Sequence, residues 1–178
     1  GLSACPSITV NGIYKYKIVA EERDLDLALL APQEVLKPLS VIEYTTTVPK
    51  IGEQVVLSSF PYQGKLNRSS LTEGTVRELE DLQGDKRKFR ISIPVNPGDS
   101  GGGLFDLSGN FIGLHLAEPS TINLDAQIAI KASEITKFLR ASGLTELKRS
   151  YRSVPLDLRQ IDSMANRVTA LISCWEQY

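Results

Sequence analysis

The segment from Asn96 to Gly103 reads Asn-Pro-Gly-Asp-Ser-Gly-Gly-Gly and contains the strongest candidate nucleophile of the chain, Ser100. Glycines allow backbone conformations and close approaches that a Cβ would obstruct, so this loop can turn its amides toward one point while it presents the hydroxyl. A serine hydroxyl is a weak nucleophile near neutral pH and needs a neighbouring base, usually an imidazole. The one histidine of the chain, His115, follows the serine instead of preceding it. The loop therefore predicts an activated-serine site without an obvious base.

Composition excludes several classes of partner. The chain has 178 residues, 20 Lys+Arg against 21 Asp+Glu and a net charge of -1, so no overall field attracts nucleic acid. No apolar run approaches the ~18 residues of a membrane span, so no membrane partner is expected. No metal-ligand motif or nucleotide-binding loop stands out, which predicts no metal and no cofactor. Cys5 and Cys174 lie near opposite ends and predict no disulfide framework of the kind that small secreted domains use.

Most local patterns indicate short strands. Residues 13–19 alternate apolar and polar side chains, and residues 25–30 form a short apolar run, so these two segments predict neighbouring strands. Turn residues separate several of the strands that follow. These further strands are predicted at 41–44, 54–59, 70–77, 89–93, 103–105, 111–116 and 126–130. Many short strands at this spacing are typical of a barrel or sandwich.

The C-terminal part changes to a helical period. Ser133 is a candidate cap for one helix, and Gly143 is suited to ending it in the left-handed conformation. Asp157 and Gln160 stand where a variant of the capping box would start a second helix. A stripe then repeats at intervals of four and three residues: Ile161, Ala165, Val168, Ile172 and Trp175. The stripe predicts a helix that packs on its own barrel, with a partner-binding or oligomerising helix as the alternative.

Five segments carry a resemblance to a known family. In order they are Asp26 to Leu30, Ile51 to Val56, Leu71 to Val76, Asn96 to Leu104, and Phe105 to Gly113. Over most of residues 13–140 the chain resembles trypsin-like serine proteases of the bacterial type, in particular the high-temperature-requirement family. The resemblance implies an all-β fold of two six-stranded antiparallel barrels with the active site between them.

The resemblance also implies roles for individual residues. Ser100 corresponds to the nucleophile, and Asp26 to the acid that orients a histidine. The backbone N–H groups of Gly98 and Ser100 correspond to the oxyanion hole, whose donors typically contribute ~3 kcal/mol each to transition-state stabilisation. Asp24 competes with Asp26, but Asp26 directly precedes the Leu-Ala-Leu-Leu run, as the acid of the family does.

In the family the catalytic histidine precedes the aspartate, yet residues 1–25 contain no histidine. The resemblance therefore implies a truncated first barrel that lacks the catalytic histidine. We expect residues 1–36 to be the remnant of this barrel, 37–132 to form a complete second barrel, and 133–178 to be a helical extension. We expect the remnant to pack on the second barrel or to pair with a missing N-terminal segment or another chain.

His115 has three interpretations. Gly98 to Gly102 also fits the G-x-S-x-G elbow of α/β-hydrolases, whose histidine comes last, but that elbow leads into a helix and three glycines disfavour one. Gly113-Leu114-His115 is similar to a strand of glutamyl endopeptidases and picornaviral 3C-type proteases, which implies that His115 binds a Glu or Gln side chain of the substrate. Those families place Thr or Ser where this chain has Val95. A purely structural histidine is the third interpretation.

Two functions remain open from the sequence. In the first, the chain is the C-terminal portion of a serine endopeptidase that acts on peptides or proteins, with its histidine elsewhere and the isolated chain inactive. In the second, it is a non-catalytic homologue that binds peptides or proteins. Retention of both Ser100 and Asp26 favours the first, because a binding domain has no chemical need for the pair.

Overall fold

The computed structural model describes residues 2–38, 40–45, 47–117 and 126–175. Within these ranges the chain forms ten strands and two α-helices. The strands are β1 Ser7–Val10, β2 Tyr14–Glu22, β3 Leu27–Pro32, β4 Gln54–Ser59, β5 Ser70–Glu78, β6 Lys88–Ser92, β7 Gly103–Asp106, β8 Phe111–Leu116, β9 Gln127–Lys131 and β10 Ile172–Trp175. The helices are α1 Ala132–Ala141 and α2 Leu158–Asn166. No helix in the described ranges is long and apolar enough to cross a bilayer.

Strands β4 to β9 close into an antiparallel barrel in the order β4-β5-β6-β9-β8-β7. Alternate side chains point inward and fill its interior, among them Leu57, Phe89 and Ile112, none of which is exposed to solvent. Helix α2 covers β4 and β5 on the outside, and α1 packs against β8 and β9. The prediction of a closed trypsin-like second barrel is confirmed.

The remaining strands form an open sheet in the order β10-β1-β2-β3, here called the first sheet. The predicted pairing of the two N-terminal segments is confirmed, because β2 and β3 are antiparallel neighbours. Strand β10 joins the same sheet by pairing antiparallel with β1, with Ile172 opposite Val10 and Trp175 opposite Ser7. The first sheet therefore contains strands from both ends of the described chain.

The predicted second helix is correct at its start and wrong at its end. Asp157 and Gln160 form the capping box, each side chain accepting from the other's backbone N–H. The helix ends at Asn166, and Thr169 then directs its hydroxyl to the carbonyl of Ala165. Ile172 and Trp175 lie in β10 instead, because strand β1 offers them backbone partners that helical spacing along the sequence cannot reveal.

Two other local predictions are also wrong, and one is confirmed. Helix α1 begins after Lys131, so Ser133 is not its cap. Residues 41–44 form no strand, and Tyr44 alone makes isolated bridges to other segments. Gly143, just after α1, adopts the predicted left-handed conformation with φ 95°.

Burial lowers the pKa of Lys131, whose ammonium donates to the carbonyls of Leu79 and Lys86 at 2.7 and 2.6 Å.

The two cysteines form a disulfide, which their positions in the sequence did not predict. Cys5 precedes β1 and Cys174 lies in β10, with their Cα atoms 5.4 Å apart and their positions 169 apart in sequence. The indole Nε1 of Trp175 adds a hydrogen bond of 2.7 Å to the Thr9 hydroxyl. These contacts fasten the C-terminal strand to the first sheet.

Replacing Gly113 by alanine is expected to lower the free energy of unfolding by about 2 kcal/mol. A Cβ at Gly113, in β8, would lie 2.2 Å from the backbone oxygen of Ile130 and 2.9 Å from the ring of Phe89. Gly103→Ala is the matched control, since its nearest contact would be a longer one of 3.2 Å, to the side chain of Phe105 and not to the backbone. Urea unfolding of both variants measures the difference, and equal stabilities would contradict this packing.

Candidate active site

A cleft of about 630 Å³ separates the first sheet from the barrel. Asp26 lines it from the first-sheet side, and Ser100 and His115 line it from the barrel side. The structure therefore brings together the three side chains that the sequence indicated. Leu2 and Ile172, for which the sequence suggested no role in the site, line the same cleft.

Asp26 is positioned by its two neighbours in sequence. Leu25 and Leu27 are 4% and 8% exposed and belong to a core cluster that includes Phe105 of the barrel. Asp26 itself adopts the left-handed conformation, with φ 49° and ψ 41°, and is exposed. Anchoring both neighbours in the core leaves the intervening carboxylate at the cleft. Asp24, the competing acid, does not line the cleft, and its N–H donates to the carboxylate of Glu22.

The buried side chain of Asp99, which is 1% exposed, stabilises the loop that presents Ser100. Its two carboxylate oxygens accept from the Ser59 hydroxyl at 2.7 Å and from the Asn96 N–H at 2.5 Å. Because charge-assisted hydrogen bonds fix this carboxylate inside, the next residue, Ser100, turns outward and is exposed. The sequence analysis assigned no role to Asp99. The signal that could have indicated one is the presence of an acidic residue between a glycine and the candidate nucleophile.

The loop around Ser100 has two available backbone donors, the N–H groups of Gly98 and of Ser100 itself. Three neighbouring N–H groups are already engaged: that of Asp99 donates to the Asn96 carbonyl, that of Gly101 to the His115 carbonyl, and that of Gly102 to the Asp99 carbonyl. By contrast, within the described part of the chain neither the Gly98 nor the Ser100 N–H donates to a protein acceptor. Gly98 has φ 103°, a conformation that favours glycine. Available donors on both sides of Asp99 are what an oxyanion hole requires.

His115 supports the loop and makes no hydrogen bond to Ser100. Its ring is 2% exposed, Nδ1 donates to the Asp99 carbonyl at 3.1 Å, and Nε2 lies 3.4 Å from Oε1 of Gln127. Its backbone N–H donates to Gly102 at 2.9 Å, and its carbonyl accepts from Gly101 at 2.8 Å. The Ser100 hydroxyl instead accepts a 3.4 Å bond from a backbone N–H just beyond β8. The ring nitrogens are thus directed at other partners than the candidate nucleophile.

Comparison with known proteins shows which family the chain belongs to. Residues 9–114 match the trypsin-like peptidase domain. The chain belongs to this family. The resemblance to trypsin-like serine proteases that the sequence indicated is confirmed, and a strand rather than a helix follows Ser100, which excludes the α/β-hydrolase elbow. Family and fold together support a serine protease-like function.

Three relatives show how much of the trypsin-like peptidase domain is shared. Uncharacterized protein y4bJ of Sinorhizobium fredii is 29% identical over 167 residues, covering 88% of this chain and 26% of that protein. This chain thus spans about a quarter of that curated relative. An inactive form of Rv3671c from M. tuberculosis, carrying a serine-to-alanine mutation, matches with a TM-score of 0.58 and 25% identity over 75% of this chain and 67% of that one. A serine endoprotease from Yersinia pestis shares the fold, with a TM-score of 0.59 and 22% identity over 75% and 45% of the two chains.

Asp99→Asn is expected to lower the free energy of unfolding by about 2 kcal/mol, because the amide carries no charge and the two charge-assisted hydrogen bonds of the buried carboxylate are replaced by weaker neutral ones. Asp162→Asn is the matched control. Asp162 pairs with Arg68 at the surface, where an ion pair contributes at most about 1 kcal/mol. Urea unfolding compares the two, and faster amide exchange of Gly101 and Gly102 in Asp99→Asn would localise the effect. Equal losses in both variants would contradict the assigned role of Asp99.

Proposed function

We propose that this domain is the C-terminal portion of a serine endopeptidase that hydrolyses peptide bonds. The observation that carries the proposal is that Ser100 and Asp26 line one cleft from opposite sides. An imidazole between them would accept a proton from the hydroxyl on one side and donate to the carboxylate on the other. This is the arrangement by which a serine becomes a nucleophile.

In this proposal the histidine base comes from residues outside these 178. His115 is the one histidine of the chain, and its buried ring is held by Asp99 and Gln127. Leu2 lines the cleft, so a segment preceding it in the same polypeptide could reach the space between Ser100 and Asp26. A second chain is the other source. Without that imidazole, we expect the 178-residue protein to be inactive.

The proposed hydrolysis then proceeds in successive steps. Ser100 Oγ attacks the substrate carbonyl while the imidazole takes the hydroxyl proton, and Asp26 stabilises the imidazolium that forms. The N–H groups of Gly98 and Ser100 donate to the oxyanion of the tetrahedral intermediate. The imidazolium returns its proton to the leaving amine, and water hydrolyses the acyl-enzyme by the same route. The substrate is a peptide or protein, and the chemistry calls for no cofactor.

His115 is proposed as a recognition residue of this site. It lines the cleft, and its buried ring is rigidly oriented by the Asp99 carbonyl, so its remaining nitrogen has a fixed direction. Because Nδ1 donates to the Asp99 carbonyl, Nε2 can accept from the side-chain amide of a substrate Gln when the ring is neutral, and it can donate to a Glu or Gln oxygen when the ring is protonated. Cleavage of peptide libraries by a form that contains the histidine base should favour these residues, and the absence of any such preference would remove the role.

Labelling with a fluorophosphonate tests the main proposal. We expect the 178-residue protein to label weakly or not at all, and a form extended at its N-terminus to include a histidine to label strongly. Free imidazole added to the 178-residue protein should also raise labelling, because it supplies a general base. Ser100→Ala should abolish all labelling, whereas Ser133→Ala, at an exposed position on α1, should not change it.

Two results would contradict the proposal. Strong Ser100-dependent labelling of the 178-residue protein without added base would show that no external histidine is needed. Absence of labelling in the extended form would favour the second candidate, a non-catalytic homologue that binds peptides or proteins. The engagement of the one histidine with Asp99 and Gln127 instead of Ser100 is the observation that favours this second candidate.

A further inference from the structure

Ile172 is an apolar residue at the cleft that neither the family nor the proposed catalytic steps explain. It begins β10, far from Ser100 in sequence, and lines the cleft with Ser100 and Asp26. Its side chain is 46% exposed. A branched apolar side chain left open to water in a cleft is a surface that a ligand can cover favourably.

The surroundings of Ile172 indicate which ligand group it suits. Leu2, Leu114 and Leu116 line the same cleft and are partly buried. The charged lining residues of the cleft, apart from Asp26, are Glu21, Glu22 and Arg23, and they follow one another at the end of β2 and in the turn after it. The cleft therefore has an apolar lining that includes β10 and a charged segment from the first sheet. An apolar side chain of a bound peptide fits the first of these.

The position of Ile172 is fixed from both sides. Leu171, just before it, donates its N–H to the Asn11 side chain at 3.0 Å and accepts from the Asn11 N–H at 2.7 Å. Cys174, two residues after it on the same face of the strand, is bonded to Cys5. Because β10 has four residues with mostly exposed side chains, pairing with β1 alone is marginal and the disulfide secures it.

We propose that Ile172 is a substrate-binding residue that selects an apolar side chain of the bound peptide, and that the Cys5–Cys174 disulfide positions it. The proposal rests on the proposed function, since it concerns the same cleft. A dithiol reductant would break the S–S bond, giving two thiols on the protein while the dithiol is oxidised to its own disulfide. With the bridge broken, β10 separates from β1 and Ile172 leaves the cleft.

Peptide binding to the oxidised 178-residue protein tests this without catalysis. The probes are two capped hexapeptides, one alternating alanine and leucine, the other with serine in place of each leucine. In NMR titrations the leucine peptide should bind more tightly and shift the amide signals of Ile172, Leu116 and Gly101. Ile172→Asn should weaken its binding about tenfold, as expected when one apolar contact in a pocket is lost. Ile172→Val should bind nearly as tightly as the original protein.

Ile13→Asn is the matched control, because Ile13 is 72% exposed and is not a cleft residue. It should leave the affinity unchanged. If Ile172→Asn binds the leucine peptide as tightly as the original protein, or if neither peptide binds, the role of Ile172 is overturned. Fluorophosphonate labelling of Ser100 requires no contact with Ile172, so it judges the proposed function separately.

The role of the disulfide has its own readout in Trp175, the one tryptophan of the chain. Its indole donates to Thr9, so release of β10 by a dithiol should change its fluorescence emission. Affinity for the leucine peptide should then fall to the level of Ile172→Asn. Unchanged emission, or changed emission with unchanged affinity, would overturn the positioning role of the disulfide.

Discussion

Asp26→Asn is expected to lower kcat by about 10⁴-fold in a form of the protein that contains the histidine base, the size of effect found when the acid of such a triad becomes an amide. The carboxylate would accept from one imidazole nitrogen and leave the other able to take the Ser100 proton. The amide can donate to the first nitrogen and so favours the wrong tautomer. Steady-state hydrolysis of a fluorogenic peptide at saturating concentration measures kcat.

Asp24→Asn is the control for this prediction. It makes the same chemical change two residues earlier, at a carboxylate that does not line the cleft. We expect its kcat to stay within about twofold of the original value. If the loss occurred in Asp24→Asn and not in Asp26→Asn, the assignment of the acid would be wrong. Because both side chains are exposed, neither change should alter the unfolding midpoint by much.

Removal of the disulfide by the double change Cys5→Ser and Cys174→Ser is expected to lower the free energy of unfolding by about 4 kcal/mol. The bridge joins positions 169 residues apart, so it restricts almost the entire unfolded chain. Urea unfolding of the oxidised protein and the double variant at the same pH measures the loss. Each single change should cost as much as the double one, since either removes the bridge.

Reduction of the original protein by a dithiol is the control for this second prediction. It should reproduce the midpoint of the double variant, because it breaks the same bond without altering any side chain beyond the two cysteines. A loss below about 1 kcal/mol in both would contradict a stabilising disulfide. A loss in the double variant alone would trace the effect to the serines rather than to the missing bond.

Strands determined by local pattern could be predicted from the sequence. Those at Gln54–Ser59 and Phe111–Leu116 were predicted with the bounds they have in the structure, since turn residues delimit each apolar run. Strand β1 was not predicted, because its four residues give too little pattern. The sequence pattern predicts a helix at β10 because the apolar residues there continue the spacing of α2, and only the pairing of β10 with β1 decides otherwise.

The candidate site divides in the same way. The serine and its glycines are adjacent in sequence, so a loop that presents the serine could be predicted from the sequence alone. The support of the loop by Ser59 could not, because it joins positions 40 residues apart and depends on the barrel closing. The position of Ile172 at the cleft depends on the pairing of β1 with β10. The local spacing of residues along the sequence does not indicate this pairing.

The composition of the first sheet has a consequence for biosynthesis. Strands β1 to β3 are made early, yet their sheet also includes residues 172–175, which are made more than a hundred residues later. While the ribosome still holds those residues, the nascent chain can form the barrel but cannot complete the sheet or its disulfide. The cleft therefore acquires its last wall only after residue 175 has left the ribosomal tunnel, so Ile172 cannot contribute to the cleft while it is still inside the tunnel.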